Sequence, residues 1–292
     1  SKDMNFLDRT LTVDSFSGLK TKIHKEIDHD DRHAELDMLH PIGGDEDIPL
    51  IIQLLTDRSI PASDGLPHGI ESGLMLHEIL EKIDYDSIRS IKNPLDMLGN
   101  NSEFSSLIDA AIQTNIRTRT FDIDYLKNET ARIIWNTLHA PLDNSGLILC
   151  EIDNRIHEVE FYYPTDPDLQ SDTLTQFYPD GFIHGFIDMI FEYKGKYYLV
   201  DWKSNYIETG YSYEMISNNI LKMHYDLQIK IYTRALIRWL RQSKTDYAYD
   251  RHFGGVYYLY MRGIDPNNKG EGIFFFRPEE DPEQYTSLVK IR

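Results

Sequence analysis

The sequence predicts an α+β fold, a mixed central sheet flanked by helices, and three observations lead to this prediction. Apolar residues recur at helical spacing over Leu74–Ile83 and again over 103–140. After Leu147 the pattern changes to period-two segments rich in β-forming residues. A long amphipathic helical segment then precedes two further apolar segments, which is typical of helices packed around one sheet. We interpret residues 1–292 as one domain, mainly helical over about 1–145 and sheet-based over about 146–292.

Upstream of residue 70, the sequence predicts one helix start and two connections. Small hydroxyl residues in Thr12–Leu19, followed by Ile23 on the same side as Leu19, are typical of a capped helix N-terminus. Residues 28–49 are acidic, rich in His and contain Pro and Gly, so they are predicted to form a long solvated loop. Pro61–Gly69 is predicted to be a second connection.

Two helical patterns follow before the change at Leu147. The first has His77 in the middle of an apolar stripe formed by Leu74, Leu76, Ile79, Leu80 and Ile83. The second covers residues 103–140 and ends where Pro141 and Gly146 interrupt it. A single histidine on an apolar helix face is more often a buried structural residue than a ligand, so His77 alone does not indicate a site.

The sheet part is predicted from five segments of strand character. Three of them lie before the long helix: Arg155–Tyr163, Gly181–Tyr193 and Tyr197–Trp202. Lys194-Gly195 lies between the last two and suits a tight hairpin turn. The long helix is predicted over about Met223–Arg241, with an apolar side of Leu227, Ile231, Leu236, Trp239 and Leu240. The final two strands are predicted over Gly254–Arg262 and Gly272–Phe276.

Composition and charge exclude several classes of protein. The chain has 30 Lys and Arg against 48 Asp and Glu, a net charge of −18, which disfavours a protein that coats DNA with its own basic surface. Cys150 is the one cysteine, so an intramolecular disulfide and a four-cysteine zinc or iron–sulfur site are excluded. No apolar run approaches the roughly 20 residues of a membrane span. The Gly-rich loop and Lys of a P-loop ATPase are absent from the sequence.

Two acids and a lysine occupy neighbouring predicted strands. Asp188 and Asp201 are expected to lie side by side in an antiparallel hairpin, where two carboxylates repel each other unless a cation separates them. Oxygen ligands of this kind suit Mg²⁺ or Mn²⁺. Lys203 lies two residues after Asp201 and projects from the same face of its strand. An Asp-x-Lys triplet is usually an exposed salt bridge, but the apolar context predicts burial, which is costly for uncompensated charges.

Several segments, in the right order, resemble the nuclease domain of the exodeoxyribonuclease V beta (RecB) subunits, within the PD-(D/E)XK nuclease superfamily. They cover most of residues 65–263: Leu66–His77, Arg155–Phe161, Gly181–Asp188, Tyr197–Asn205, Tyr225–Tyr232 and His252–Gly263. Any one of these motifs is weak, whereas the series is specific. The resemblance implies a restriction-endonuclease-like core with an added N-terminal helical region.

The resemblance also implies roles for individual residues. A divalent metal would be held by His77, Asp188, Asp201 and the backbone carbonyl of Trp202. Asp188, Asp201 and Lys203 would be the catalytic residues, with the Lys203 ammonium orienting the attacking water and offsetting developing negative charge.

Four further side chains have both a functional and a structural interpretation. Glu158 resembles an extra acidic residue of the family, but Glu160 on the same predicted face is an alternative, and both could be exposed edge-strand charges. Gln228 and Tyr232 match the family's Gln-x-x-x-Tyr pattern and share one helix face. They would contact the substrate strand or support Lys203; a partly buried helix pair is the structural alternative.

Basic residues follow the same predicted helix. Lys230, Arg234 and Arg238 could bind the phosphates of DNA. A solvated helical face explains such a stripe equally well, so the sequence leaves the choice open.

The function that the resemblance implies is metal-dependent hydrolysis of DNA, by exonuclease or endonuclease action, in a RecBCD-type helicase–nuclease of double-strand-break repair and recombination. Mg²⁺ is the expected cofactor, with Mn²⁺ as a substitute and Ca²⁺ binding without supporting activity. The expected partners are single-stranded DNA delivered by a helicase part of the same polypeptide, and RecC- and RecD-like subunits. The expected location is the bacterial cytoplasm, away from membranes.

Two rival interpretations remain distinct from this one. A nuclease-like fold could serve as a catalytically inactive scaffold in a recombination complex, but such a protein is expected to lose a ligand or the lysine, and this sequence retains His77, Asp188, Asp201 and Lys203. An iron–sulfur nuclease with a similar Gln-x-x-x-Tyr helix is excluded by the single cysteine.

Overall fold

The computed structural model describes residues 12–15, 66–99, 102–117, 122–164 and 181–282. In chain order the elements are β1 (Thr12–Ser15), α1 (Ile70–Lys82), α2 (Tyr85–Ile88), α3 (Glu103–Asn115), α4 (Ile123–His139), β2 (Arg155–Pro164), β3 (Gly181–Tyr193), β4 (Lys196–Lys203), α5 (Tyr213–Lys222), α6 (Tyr225–Ser243), α7 (Tyr249–His252), β5 (Phe253–Tyr260) and β6 (Ile273–Phe276). Helices flanking a mixed sheet confirm the predicted α+β class, and the arrangement is compatible with a restriction-endonuclease-like core. None of the helices in these ranges combines the length and the apolar character needed to cross a membrane.

Strand β3 lies at the centre of one side of the sheet and pairs with β1, β2 and β4. Beyond β4 the sheet continues with β5 and then β6. β1 runs parallel to β3, β4 runs parallel to β5, and the remaining pairs are antiparallel. Because β2 follows one edge of β3 almost throughout, β1 and β4 share the opposite edge, over Gly181–His184 and Met189–Tyr193 respectively. Between these two ranges, residues 185–188 have no strand partner on that edge among the described residues. The sheet therefore opens next to Asp188.

A tight turn joins β3 and β4, as the sequence predicts. Lys194 and Gly195 both have positive φ, 51° and 77°. Two positive φ values in a two-residue loop match the right-handed twist of the adjoining strands, and glycine adopts them without a steric penalty. The turn fixes the pairing of Met189 with Val200, so Asp188 and Asp201 are the next residues along their strands.

Two apolar cores cover the two faces of the sheet. On one face, Met75, Leu76 and Ile79 of α1 pack in the same cluster as Met189 and Trp202, together with residues of α3 and α4. On the other face, α6 packs through residues such as Ile229 and Ile237 against Ile190 and Leu199. Since His77 lies on α1 and Gln228 on α6, the sheet brings side chains from opposite faces to the same opening.

Both β2 and β3 change the face that they present at this opening. Ile187 belongs to the α6 core and Met189 to the α1 core, although residues two apart on a regular strand share a face. Across from them, Val159 packs on the α6 side while the His157 ring lies against Tyr85 of the α1 core. Glu158 and Asp188 lie at the switch, and Glu158 has a φ of 49°, which is rare for a non-glycine residue.

The prediction of a helix start at Thr12–Leu19 is wrong for its first residues. Thr12–Ser15 form a strand that pairs in parallel with Gly181–His184. The adjacent β-branched residues Thr12 and Val13 suit a strand, and a partner strand more than 160 residues away outweighs a local capping pattern. Leu19, Ile23 and the loop predicted over 28–49 lie outside the described residues.

Several helix predictions need correction in detail. The pattern over 103–140 corresponds to two helices, Glu103–Asn115 and Ile123–His139. The sequence places Leu74 and Trp239 on apolar helix sides, but their side chains lie at the edges of those sides and are 42% and 43% exposed. Helix α5 was not predicted. The strand predicted over Gly254–Arg262 ends at Tyr260, and a single 3₁₀ turn over Met261–Gly263 follows it.

Candidate active site

His77, Asp188 and Trp202 meet where β3 and β4 separate. The backbone N–H of Trp202 donates to Oδ2 of Asp188 at 2.7 Å, so a carboxylate replaces the next ladder partner. The carbonyl oxygen of Trp202 lies 3.1 Å from Nε2 of His77, and Nδ1 of His77 lies 3.5 Å from Oδ1 of Asp188. One imidazole therefore faces both the main-chain carbonyl and the first carboxylate.

Asp201 and Lys203 lie beside this group on the α6 side of β4. The Nζ atom of Lys203 is 2.6 Å from Oδ2 of Asp201, with the two side chains 2% and 4% exposed. This contact is a buried ion pair, and no other group among the described residues donates a hydrogen bond to Oδ2 of Asp201. Nζ also donates to Oε1 of Gln228 at 3.2 Å.

Two tyrosine rings complete the surroundings of the buried ammonium. Nζ of Lys203 lies 4.0 Å from the ring centroid of Tyr225 and 5.2 Å from that of Tyr258. Sequence reasoning missed both residues. Tyr225 precedes Gln228 by three positions and so shares its helix face, which is a usable signal. Tyr258 comes opposite Asp201 through the parallel pairing of β4 and β5, for which there is no local signal.

Burial and charge separate the two carboxyl pKa values. Burial raises the pKa of Asp201 to about 7; the Lys203 ammonium lowers it and the nearby Asp188 raises it. Burial also acts to raise the pKa of Asp188, but the His77 charge and hydrogen bond, with help from Lys203 and the Trp202 N–H, hold it below its usual range. The two neighbouring carboxyl groups therefore differ, since Asp188 is ionised and Asp201 is readily protonated. A cation bound between them would favour the ionised form of both.

The donor set fits a hard divalent cation, although within the described ranges no three His, Cys, Asp or Glu side chains form a ready-made metal site. The candidate ligands are instead one imidazole, two carboxylates and one main-chain carbonyl. Two ligands of one Mg²⁺ lie at most about 4.2 Å apart, twice the metal–oxygen distance. The contact from Nε2 of His77 to the Trp202 carbonyl, 3.1 Å, and the contact from Nδ1 to Asp188, 3.5 Å, each lie within this limit, although they run through different ring nitrogens. The buried Oδ2 of Asp201, which is ion-paired but not hydrogen-bonded, is a further available ligand atom.

Gln228 and Tyr232 are both buried, at 1% and 4% exposure. Gln228 accepts the hydrogen bond from Nζ of Lys203, and its supporting role for that lysine stays a prediction. The Tyr232 ring packs edge-on against Phe161 at 5.2 Å, and burial raises the pKa of Tyr232 well above its ordinary value. Direct contact of either residue with a substrate strand remains a prediction.

The structure separates the two candidate acids on β2. Glu158 lies at the face switch opposite Asp188, with a half-buried side chain. Glu160 is 51% exposed and accepts a hydrogen bond from Nε2 of His184 at 2.8 Å. Because Glu158 lies next to Asp188, Glu158 is a better candidate for the additional site residue than Glu160.

The basic residues of α6 do not form one exposed stripe. Lys230 pairs with Asp226 at 3.5 Å on the same helix. Arg234 is only 8% exposed. The guanidinium of Arg238 lies 4.2 Å from the ring centroid of Tyr163. Contact of these three residues with DNA remains a prediction, with Lys230 and Arg238 better placed than Arg234.

Comparison with curated proteins finds several similar chains, whereas no protein-family model matches. The RecBCD enzyme subunit RecB of Escherichia coli (strain K12) is 31% identical over 237 residues, 73% of this chain and 18% of that subunit. RecB of Buchnera aphidicola subsp. Acyrthosiphon pisum is 30% identical over 293 residues, covering 92% and 22% of the two chains. RecB of Haemophilus influenzae is 31% identical over 268 residues, covering 85% and 20%. The chain thus spans about a fifth of the length of these relatives.

Proposed function

The chain is a relative of the RecB subunits of RecBCD enzymes over most of its own length, and from this premise we propose that it is a metal-dependent nuclease. It hydrolyses phosphodiester bonds of DNA as an exonuclease or endonuclease of the exodeoxyribonuclease V type. Its fold belongs to the PD-(D/E)XK nucleases. It works in double-strand-break repair and recombination in the bacterial cytoplasm.

The observation that supports this proposal best is the convergence of His77, Asp188, the Trp202 carbonyl and the Asp201–Lys203 pair at one opening of the sheet. A purely structural ion pair would explain Lys203 and Asp201. It would not explain why an imidazole from α1 reaches the same point as two carboxylates from the hairpin. Clusters of buried groups with displaced pKa values are typical of active sites.

We assign the metal to His77, Asp188, Asp201 and the carbonyl of Trp202. When bound there, Mg²⁺ or Mn²⁺ would supply Lewis acidity toward a phosphate oxygen. Ca²⁺ would bind but support little turnover, because its ligand shell is larger and looser.

The chain's own residues then have separate tasks. With the metal bound, His77 would present a ring nitrogen to it, and Asp188 and Asp201 would present carboxylate oxygens. Lys203 directs its ammonium toward the attacking water and the developing negative charge, where a fixed cation in a low-dielectric site is most effective. Gln228 accepts a hydrogen bond from that ammonium at 3.2 Å. The Lys203 side chain is therefore oriented before the substrate arrives.

The net charge of −18 fits a nuclease whose substrate is delivered to it. A helicase part of the same polypeptide would supply single-stranded DNA at high effective concentration, so the nuclease part needs little affinity of its own. RecC- and RecD-like subunits are the further partners that we propose. The isolated chain should then bind single-stranded DNA weakly at physiological salt and cut it slowly.

The proposal is tested by digesting plasmid and single-stranded oligonucleotides with Mg²⁺, Mn²⁺, Ca²⁺ or chelator. Wild-type protein should cut with Mg²⁺ and Mn²⁺ and should not cut with chelator. Lys203→Ala should lower the rate by about 10²- to 10⁴-fold, as expected for loss of a positioned charged catalytic group. Lys127→Ala is the matched control, since Lys127 pairs with Asp109 in the helical part.

Full activity of Lys203→Ala would overturn the assignment of the site. A wild-type protein that binds DNA but never cleaves it, under any of these metals, would instead support the inactive-scaffold alternative.

A further inference from the structure

Arg262 lies just beyond β5 and is almost completely buried, with 6% exposure. Its guanidinium donates to three main-chain carbonyls. Nε donates to Ser204 at 2.7 Å, Nη2 to Pro67 at 2.7 Å and Nη1 to Leu66 at 3.3 Å. A buried arginine that contacts carbonyls nearly 60 residues upstream and nearly 200 residues upstream joins distant parts of the chain.

The three carbonyls belong to the two elements that hold the candidate site. Ser204 directly follows Lys203 at the end of β4. Leu66 and Pro67 lead into α1, whose second turn bears His77. The hydroxyl of Ser72, in the first turn of α1, also donates to the Pro67 carbonyl at 2.7 Å.

The backbone next to Arg262 is closely packed. A Cβ added to Gly263 would lie 2.1 Å from the Tyr211 ring, so the backbone after Arg262 rests tightly against that ring. The Tyr211 hydroxyl donates to the Asn205 carbonyl and accepts from the Ile207 N–H. The segment that follows Lys203 is therefore held by hydrogen bonds from Arg262 and by hydrogen bonds with Tyr211.

The chemistry of arginine suits this role. A guanidinium stays charged and presents its N–H groups in a rigid planar fork, so it fixes several acceptors relative to one another. The ammonium of lysine is a flexible point charge, so it fixes the Ser204 and Pro67 carbonyls relative to each other less firmly.

We propose that Arg262 is a positioning residue that sets the distance between His77 on α1 and the Trp202–Lys203 end of β4. The inference rests on the proposed function for its significance, because that distance matters most if His77 and the Trp202 carbonyl share a metal. Arg262 is neither one of the proposed metal ligands nor the proposed catalytic lysine.

The test compares Arg262→Gln and Arg262→Lys with Arg89→Gln. Arg89 is the matched control, since it also joins helical and sheet parts, from Nε to the Cys150 carbonyl and from Nη2 to Asp153. Crystal structures of the 292-residue variants give the His77 Nε2 to Trp202 O distance, which is 3.1 Å here. Calorimetry with Mn²⁺ alone gives metal affinity, and oligonucleotide cleavage gives kcat and KM.

In Arg262→Gln the distance should lengthen, and Mn²⁺ affinity should fall by about 10- to 100-fold, as expected when groups that orient ligands are lost. kcat should fall by about 100-fold while KM for DNA changes little, since misplacement by about 1 Å has this effect. Arg262→Lys should show the same changes in smaller size. Arg89→Gln should lower stability and leave all three site readouts at wild-type values.

The inference is overturned if Arg262→Gln keeps the 3.1 Å distance and wild-type Mn²⁺ affinity. If Arg262→Gln does not fold, Arg262→Lys decides: wild-type values in that variant overturn the inference. If wild-type protein lacks nuclease activity but the distance still responds to Arg262, the proposed function fails and the positioning role stands.

Discussion

Nζ of Lys203 lies 2.6 Å from Oδ2 of Asp201, and neither side chain is more than 4% exposed. The ammonium compensates a carboxylate that burial would otherwise keep protonated at neutral pH. Breaking such a pair by removing one partner leaves an uncompensated buried charge, whereas the intact pair contributes little net stability. A role in catalysis therefore explains this pair better than a contribution to stability does. The titration of Asp201 also has a measurable consequence.

In protein freed of metal with EDTA, the titration of Asp201 should lower the unfolding free energy as the pH rises from about 5 to about 7, against the opposite contribution of the partly buried His139 and His157, whose pKa values burial lowers. Burial, offset in part by Lys203, raises the pKa of Asp201 to about 7. In this window the folded protein retains a proton that the unfolded chain has released, so stability decreases by at most about 1.4 kcal/mol per pH unit. Asp188 does not contribute here, because its pKa is lowered and its effect lies at more acid pH.

Urea unfolding of wild-type protein and Asp201→Asn at each pH measures this slope. The asparagine variant lacks this contribution, so its unfolding free energy should fall less, or rise more, over the same window than that of the wild-type protein. Added Mg²⁺ should reverse the wild-type trend, since metal binding favours the ionised carboxylates. Identical slopes in the two proteins would show that Asp201 keeps an ordinary pKa.

Tyr225→Leu should destabilise the protein more than Tyr225→Phe. The phenylalanine retains the aromatic face 4.0 Å from Lys203 and loses the hydroxyl contact to Asn205, worth about 1 kcal/mol. The leucine loses the aromatic face as well, which for a desolvated ammonium adds about 2 kcal/mol. Urea unfolding of both variants gives the difference.

The same two substitutions in a Lys203→Met background separate the cation–π contribution from packing. The extra cost of leucine over phenylalanine should shrink there, because the ammonium is gone. An unchanged difference would assign the effect to the cavity left by the ring.

Gly255→Ala should cost about 3 kcal/mol of stability, through backbone strain and overpacking together. Gly255 has a φ of 140°, and an added Cβ would lie 2.5 Å from the Phe275 ring. Gly255 also pairs with Tyr198 at the register shift that places Tyr258 opposite Asp201. Thermal or urea unfolding measures the loss.

Gly270→Ala is the control, since Gly270 also has a positive φ, 88°, but an added Cβ there meets nothing within 4 Å. It should cost about 1 kcal/mol, from backbone strain alone. Equal losses in the two variants would mean that the Phe275 ring moves aside at no cost.

Local patterns predicted the hairpin and the pairing of its functional groups. Lys194-Gly195 suits a two-residue turn whatever the rest of the chain does, and the turn fixes the register. Two residues apart on one strand, Asp201 and Lys203 had to share a face. The strand pattern was therefore sufficient to predict the part of the candidate site that lies on the β3–β4 hairpin.

Long-range pairing could not be predicted in the same way. Thr12–Ser15 form a strand because of a partner near residue 181, and local capping residues gave the opposite prediction. The contact between His77 and Trp202 spans 125 positions, and only the family resemblance indicated it. Arg262 had no local signal, since the three acceptors described above are main-chain carbonyls, which any sequence provides.

The most direct test of the account is the position of a divalent cation. Crystals soaked in Mn²⁺ and measured at the manganese absorption edge should show an anomalous peak within about 2.5 Å of a His77 ring nitrogen, oxygens of Asp188 and Asp201, and the carbonyl oxygen of Trp202. His77→Ala should abolish or displace that peak. Manganese bound only elsewhere, with the 3.1 Å and 3.5 Å contacts of His77 unchanged, would contradict the claim that these residues form one metal site.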